Sequence, residues 1–218
     1  MEDNKCPVCS SKASISVDYD LCSSFVVCPV CGRFELFPYV MEDINYNHLA
    51  SYLAYHAFYN RSHLDSEYRY NTFLSKEKCD SYNKEFEDGN YTYGRPVHID
   101  NDIIENWYPK TLSTRIDSII LYINNLTKHI GQYVKFSLNL IQSVLFIDRY
   151  EEKSNSTFRN GEECEEEIEF ILEYLEKNEL ISRKNGSCEE DYCEIKLLPV
   201  GYKRVDELQK YRSYGKMC

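Results

Sequence analysis

Two short stretches near the start of the chain, KCPVCSS (residues 5–11) and VCPVCGRF (residues 27–34), decide its fold. Each contains the tetrapeptide Cys-Pro-Val-Cys, and eighteen residues separate the two copies. A two-residue spacer lets both sulfurs of a tight turn point at one ion, and two such turns complete a tetrahedron. The spacing therefore predicts one structural Zn²⁺, held by Cys6, Cys9, Cys28 and Cys31.

The residues around the two pairs agree with a metal that folds the segment. Proline follows the first cysteine of each pair and restricts the backbone as it enters the turn. Gly32 follows the second pair and supplies a permissive backbone, whereas Ser10 stands at that place after the first pair. Residues 13–20 alternate apolar and polar side chains, which predicts a strand. Four thiolates leave no open position for a reacting water, so a structural role is predicted.

This pattern resembles that of the zinc ribbons over residues 4–37, with the four cysteines at the ligand positions of that family. Cys22 lies inside the ribbon and could replace a ligand, but its lone position favours a free thiol. Cys188 and Cys193 could face each other across a hairpin, although a second metal site there would need two more ligands. The isolated cysteines, also predicted to be free thiols, are Cys79, Cys164 and Cys218.

Composition limits the class of protein. The 218 residues suffice for one or two domains with a hydrophobic core. The polar, acidic start lacks the features of a secretory signal, and no apolar run approaches the length of a membrane span. We therefore expect a soluble, cytoplasmic protein without membrane partners. In that compartment ten cysteines favour metal ligands and free thiols over disulfides.

The net charge of −11 is spread over the whole chain. Residues 1–50, 51–110 and 111–218 each carry more acidic than basic side chains, and only residues 201–218 are locally basic. Non-specific binding to nucleic acid draws its free energy from neutralising phosphates. The acidic charge therefore disfavours nucleic acid as a partner.

The middle of the chain begins with a helical pattern over residues 44–63, which Asn45 or Asn47 could cap. Residues 60–96 are polar and rich in tyrosine, and residues 87–96 predict turn and loop. The tyrosines could stack on nucleic-acid bases, but the scarcity of basic neighbours favours a core or interface role.

Three histidines, His48, His56 and His63, occur close together in this helical region. Two of them lie eight residues apart, on one face of a helix, so a pair of metal ligands is conceivable. No acidic or cysteine partner stands at a convincing spacing, which favours packed or surface histidines.

The C-terminal half predicts helices and short strands. A helix is expected between Pro109 and Gly131, and residues 132–147 predict a strand followed by a helix. The buried stripe of the first helix is predicted to be Leu112, Ile116, Ile119, Ile120 and Ile123.

A further helix over residues 162–178, two strands around a polar loop and a closing helix complete the order. The apolar face of the residue 162–178 helix is Ile168, Ile171, Leu172 and Leu175. Its acidic face is Glu162, Glu163, Glu165, Glu166, Glu167 and Glu169.

Residues 108–212 resemble prokaryotic winged helix-turn-helix proteins. In that family a motif Leu-Thr-Pro-x-Gly ends the last strand, and here Leu197-Leu198-Pro199-Val200-Gly201 takes its place. The resemblance implies that the acidic helix would occupy the major groove and that Glu189, Glu190 and Asp191 would form the tip of the wing. Both surfaces have the wrong charge for DNA, which favours a winged helix that contacts protein.

The fold class predicted from these patterns is α+β, mainly helical. We expect a zinc ribbon in residues 1–40, a helical, tyrosine-rich connecting region in residues 41–105 and a winged-helix domain in residues 106–218. This layout resembles the N-terminal part of prokaryotic multidomain proteins of antiviral defence, in which a TIR-like or deoxyribosyltransferase-like effector domain follows.

Function is predicted from these features together. No Gly-rich phosphate loop, nucleophile elbow or zinc-hydrolase helix occurs, so we expect no enzyme and name no catalytic residue. The preferred hypothesis is a non-catalytic sensor, adaptor or regulator that acts through a protein partner or self-association. The alternative is a DNA-binding transcriptional regulator with a positive patch built from the tail, the ribbon or residues 111–130. A third hypothesis is small-ligand sensing in a tyrosine-lined pocket.

Overall fold

A computed structural model describes most of the chain, and the chain divides into two compact units. The N-terminal unit is Met1–Tyr108 and the C-terminal unit is Pro109–Cys218. The described residues are 4–18, 23–36, 44–62, 68–71, 76–89, 95–151, 154–184 and 192–214.

The described strands of the N-terminal unit form one mixed sheet in the order β1-β2-β3-β4-β5. The first three are an antiparallel meander, in which Ile15 pairs with Val26 and Val26 with Phe34. The last three run parallel to one another. The bounds are β1 Ser14–Asp18, β2 Ser23–Cys28, β3 Gly32–Leu36, β4 Tyr68–Asn71 and β5 Arg95–His98.

Helices connect the parallel strands, because parallel neighbours need a crossover rather than a tight turn. Helix α1 (Tyr46–Ser62) leads from β3 to β4, α2 (Lys76–Glu87) leads to β5, and α3 (Asn101–Trp107) follows β5. The middle of the chain is therefore more regular than its sequence indicates. It contributes two strands where tyrosine-rich connection and loop were expected.

The core of the N-terminal unit lies between the sheet and α1, which packs on β3. Val26 and Phe34 of the sheet and Leu49 and Leu53 of the helix are fully buried. Asn45 caps α1, accepting a 2.9 Å hydrogen bond from the backbone N–H of Asn47 through its Oδ1. The sequence named Asn45 as one of two candidate caps.

The C-terminal unit alternates helices with short strands. Its main sheet has the order β6-β10-β9 and is antiparallel, and β7 pairs with β8 in a separate ribbon between α5 and α6. The strands are β6 Val134–Ser137, β7 Tyr150–Glu151, β8 Ser154–Phe158, β9 Ile181–Arg183 and β10 Tyr192–Leu197. The helices are α4 Leu112–Leu126, α5 Leu138–Val144, α6 Gly161–Lys177 and α7 Pro199–Tyr214.

The predicted apolar faces of α4 and α6 are confirmed with one exception. Thr111 and Thr114 cap α4 reciprocally, and Ile116, Ile119, Ile120 and Ile123 are buried. Leu112 is exposed, because it is the first residue of the helix and lies before the turn that meets the core. All four predicted apolar residues of α6 are buried.

Across the described residues, seven helices and three small sheets make an α+β fold, as predicted. A strand followed by a helix over residues 132–147 is likewise confirmed by β6 and α5. Among the described helices, none has the length and apolar character required to cross a bilayer.

Candidate metal centre

The four predicted ligand cysteines meet in the N-terminal unit. Their sulfur atoms all lie within 4.8 Å of one another, and all four side chains are buried. The Sγ atoms of Cys9 and Cys28 are 3.4 Å apart, and those of Cys6 and Cys31 are 4.0 Å apart. Zinc–sulfur bonds of ~2.3 Å in a tetrahedron separate the sulfurs by about 3.8 Å. The four cysteines can therefore hold a metal ion such as zinc.

The two turns that carry the cysteines are held by hydrogen bonds that backbone N–H groups donate. In the first turn, the N–H of Ser10 donates to the carbonyl oxygen of Cys6 at 2.9 Å. In the second, the N–H groups of Val30 and Cys31 both donate to the sulfur of Cys28 at 3.4 Å. Such donors stabilise a thiolate, which is the form that binds metal.

Both turns end in the left-handed region of backbone space. Ser10 has a φ of 59° and Gly32 has a φ of 75°. Each follows the second cysteine of its pair, so the two turns share a positive φ at the same position. The serine after the first pair therefore adopts a conformation that favours glycine.

Burial and mutual hydrogen bonding pull the pKa values of the four thiols in opposite directions. Hydrogen bonds from Cys28 and Cys31 lower the pKa of Cys9, and a hydrogen bond with Cys31 lowers the pKa of Cys28. Burial raises the pKa of Cys31 above its usual range. Four buried sulfurs this close cannot all carry negative charge unless a cation lies among them. The donor set therefore suits a divalent ion that prefers sulfur ligands.

The arrangement supports structure rather than catalysis. Four sulfurs satisfy a tetrahedral ion fully, and a catalytic zinc keeps one position for water or substrate. Within the described residues, no further group of three or more metal-ligating side chains comes together.

The remaining described cysteines lie outside this cluster. Cys79 lies in α2, Cys164 in α6 and Cys193 in β10, and all three are buried. Burial raises the pKa of the Cys164 thiol, which makes it a poor nucleophile. The other cysteines that the sequence singled out, Cys22, Cys188 and Cys218, lie outside the described residues.

The histidines of α1 make packing contacts. His48 bonds through Nδ1 to the carboxylate of Glu105 in α3 and stacks on Tyr108 with ring centroids 3.6 Å apart. His56 bonds to the carbonyl oxygen of Tyr52 at 2.7 Å and stacks on its ring at 4.0 Å. Sequence reasoning missed Glu105, because it lies 57 residues from His48 and only the fold brings them together. His63 lies outside the described residues.

The acidic helix α6 keeps its glutamates on the surface. Glu162, Glu163, Glu165 and Glu166 are exposed. Four others form ion pairs, two of them with the buried Arg183, as follows. Arg159 pairs with Glu167 at 3.0 Å, Arg183 with Glu169 at 2.6 Å and Glu176 at 2.8 Å, and Lys177 with Glu173 at 2.6 Å. The predicted wing tip, residues 189–191, lies outside the described residues.

No protein-family model matches the chain, and neither a curated protein nor a solved structure is significantly similar to it. The functional argument therefore depends on the metal centre and on the surfaces of the two units.

Proposed function

We propose that this protein is a non-catalytic, zinc-binding sensor or adaptor that works through protein contacts, with prokaryotic defence as its setting. The observation that carries this function is the exposed acidic face of α6. Glu162, Glu165 and Glu166 face solvent there beside four glutamates in ion pairs. A phosphate backbone would be repelled by this face, whereas a protein surface with basic side chains would fit it.

The role of α6 follows from a winged-helix interpretation of the C-terminal unit. Its order is α4, β6, α5, α6, β9 and β10, with β10 between β6 and β9 in the sheet. That order supports a winged helix in which α6 takes the place of the recognition helix. The β7–β8 ribbon between α5 and α6 replaces the short turn that a helix-turn-helix usually has.

Zinc is the metal that the cysteine cluster fits best. Four thiolates at tetrahedral spacing suit zinc, and the ion would stabilise the meander β1–β3 without taking part in a reaction. The residues that would hold it are Cys6, Cys9, Cys28 and Cys31.

The alternative of a DNA-binding regulator finds less support in α7. Arg204, one of its basic residues, makes a bidentate contact with Asp117 at 2.9 and 3.0 Å and also meets Glu207 at 3.4 Å. Part of the positive charge of the predicted basic tail is thus neutralised within the unit.

Fluorescence anisotropy of labelled DNA, double- and single-stranded, tests the choice between protein and DNA on the zinc-loaded chain. We expect no binding, even at low salt. A matched triple variant, Glu162→Lys, Glu165→Lys and Glu166→Lys, should gain salt-sensitive DNA binding if α6 occupies the recognition position. Salt-sensitive binding by the unmodified protein would instead favour the DNA-binding regulator.

Capture of a binding partner tests directly whether the acidic face of α6 contacts a protein. The unmodified chain and the triple lysine variant serve as matched baits in lysate from the native host. We expect a protein that is retained by the first bait and lost from the second. Equal recovery on both baits would show that the acidic face of α6 is not the contact surface.

A defence role predicts a phenotype. Deleting the gene from its native host should raise the plating efficiency of at least one phage, and the Cys9→Ser variant should fail to restore resistance. An unchanged plating efficiency over a broad phage panel would remove defence from the proposed function.

A further inference from the structure

Helix α6 carries an aromatic pair, Phe170 and Tyr174, on its solvent face. The two residues stand four positions apart and so lie next to each other on the helix surface. Phe170 is 62% exposed and Tyr174 is 40% exposed, so the described residues leave a large part of each ring open to solvent. Glu166 and Glu173, each one turn from Phe170, place the aromatic pair in an acidic surround. Exposed aromatic area of this kind on a helix is typical of a contact surface.

The same unit contains a groove with the opposite charge at its rim. It has a volume of about 540 Å³, within the range of pockets that enclose a ligand or a few side chains. Its apolar lining includes Ile130, Leu197 and Pro199, and its charged lining residues are Lys196, Lys203 and Asp206. The ammonium group of Lys196 also lies over the ring of Tyr133, 4.7 Å from its centroid. We call it the lysine-rimmed groove.

One wall of the lysine-rimmed groove is fixed by a hydrogen bond between two residues that are far apart in sequence. The N–H of Gly131 donates to the hydroxyl oxygen of Tyr202 at 3.1 Å, which fixes the loop after α4 against α7. Ile130 is held at this wall with 83% of its surface exposed. An isoleucine fixed in that position leaves apolar surface that a partner could cover.

We propose that the lysine-rimmed groove of one copy receives the aromatic pair of a second copy, so that the chains associate head to tail. The charges are complementary, because glutamates surround the aromatic pair and lysines border the groove. The chain as a whole carries −11, so most of its surface repels a second copy and the lysine-bordered groove is a favourable place for an acidic helix. This inference rests on the proposed function and names a second copy of the chain as the partner of α6.

Head-to-tail contact has consequences that a symmetric dimer does not share. Each added copy leaves one aromatic pair and one groove free, so association continues into rings or open chains. A single helix seated in a groove buries less area than a standard interface, which predicts weak, concentration-dependent assembly. Lysine–glutamate contacts at the rim predict that the assembly weakens as salt rises.

Two double variants test the aromatic pair and the lysine-rimmed groove separately, and neither changes a residue of the core. Phe170→Ser with Tyr174→Ser removes the aromatic pair, and Ile130→Asp with Lys203→Glu spoils the groove. Three of these side chains are well exposed and Tyr174 is 40% exposed, so the circular dichroism spectra should match that of the unmodified chain. Phe158→Ser is the matched control, since Phe158 is also exposed, at 53%, but belongs to β8, where its ring stacks on Tyr150.

Sedimentation velocity over a wide concentration range measures the assembly of the zinc-loaded full chain. We expect the unmodified chain and the Phe158 variant to grow beyond a dimer, and each double variant to lose at least about tenfold in affinity. Mixing the two double variants should give a one-to-one heterodimer that grows no further, because one supplies an intact helix and the other an intact groove.

The outcomes distinguish this inference from the proposed function. A monomer at every concentration, or assembly that survives loss of the aromatic pair, overturns the head-to-tail contact. Failure of the mixed variants to form a heterodimer also overturns it, since α6 would then meet another surface. A monomer that still captures a different protein through α6 would leave the proposed function standing, whereas salt-sensitive DNA binding would remove both.

Discussion

Gly32, which follows the last ligand cysteine, shows how single residues set the metal centre. Its φ is 75°, and a Cβ at this place would lie 2.9 Å from the Cβ of Ala57 in α1. Both the backbone conformation and the approach of the helix therefore require glycine. The cysteine spacing in the sequence predicted the cluster, but nothing in it indicated the contact with Ala57, a residue of α1 that lies more than twenty positions later.

The first prediction compares two glycines with the same backbone conformation. Gly32→Ala should cost about 1–2 kcal/mol for the left-handed conformation and more for the clash with Ala57. Gly89 has a φ of 74° and open space around it, so Gly89→Ala should cost only the conformational part. Denaturant unfolding of the zinc-loaded chains measures the free energy of unfolding that each variant loses. Equal losses would show that α1 yields to the new methyl group.

His56 provides a second prediction at the scale of one side chain. The pKa of His56 is lowered, because burial disfavours the charged imidazolium. A hydrogen bond to the backbone of Tyr52 raises the pKa, but by less than burial lowers it. A folded-state pKa below the unfolded value of ~6.5 means that, as the pH falls, His56 takes up a proton at a higher pH in the unfolded chain than in the folded one. The stability contributed by neutral His56 is thus complete above about pH 6.5 and is lost as the pH falls below that value.

Titration of the imidazole resonances by NMR measures this pKa directly, and we expect a value below 6.5 for His56. His56→Asn should flatten the acid side of the stability curve, because asparagine cannot take up the proton. His129→Gln, at an exposed position, is the control and should leave the curve unchanged. A His56 pKa above 6.5 would contradict the burial argument.

At the scale of elements, the sequence could predict those helices and strands whose apolar residues recur at a regular spacing. Helices α4 and α6 repeat apolar residues at helical spacing over about two to three turns, and the structure confirms them. Strands β4 and β5 have four residues each and contain arginine, asparagine, proline and tyrosine, so no local pattern marks them. Their parallel partners are distant in sequence, and the pairing that forms them is therefore a property of the folded unit.

The approach of α7 to the end of α6 gives a third prediction. A Cβ on Gly201 would lie 2.2 Å from the carbonyl oxygen of Leu180, so the helix can pass this backbone only with glycine there. Gly201→Ala should destabilise the C-terminal unit by about 1–3 kcal/mol or more through overpacking. A Cβ on Gly161 in α6 would have no atom within 4 Å, so Gly161→Ala is the matched control.

Thermal and denaturant unfolding of these two variants measure the difference. Unchanged stability of Gly201→Ala would mean that α7 shifts away from Leu180 at little cost. The glycine was noted in the sequence as part of Leu-Leu-Pro-Val-Gly, and its contact explains why that position excludes a side chain.

At the scale of the whole molecule, the two units each have a core of their own, and the metal centre belongs to one of them. Removing the metal should therefore unfold part of the chain and spare the rest. Zinc-site free energies of about 10–16 kcal/mol in small domains are as large as the whole stability of a typical domain, about 5–15 kcal/mol. We expect chelator to abolish the order of β1–β3 while the C-terminal unit keeps its helices.

Two-dimensional NMR before and after chelation measures this fourth prediction. Cys9→Ser should lower the zinc content from about one ion per chain to none. Cys79→Ser and Cys164→Ser are matched controls, because both cysteines are buried but lie outside the cluster, and they should retain the ion. Full zinc content in Cys9→Ser would contradict the assignment of the ligands.

Strand β3 belongs to two parts of the sheet, because it closes the meander that carries the four clustered cysteines and also pairs with β4. During synthesis, residues 5–36 leave the ribosome well before the segments that become β4 and β5. A meander that has taken up its ion offers β3 as a preformed edge on which the later strands assemble in turn. We therefore expect the supply of zinc at the moment of translation to set the yield of folded protein, with chains made during metal starvation passing to proteases.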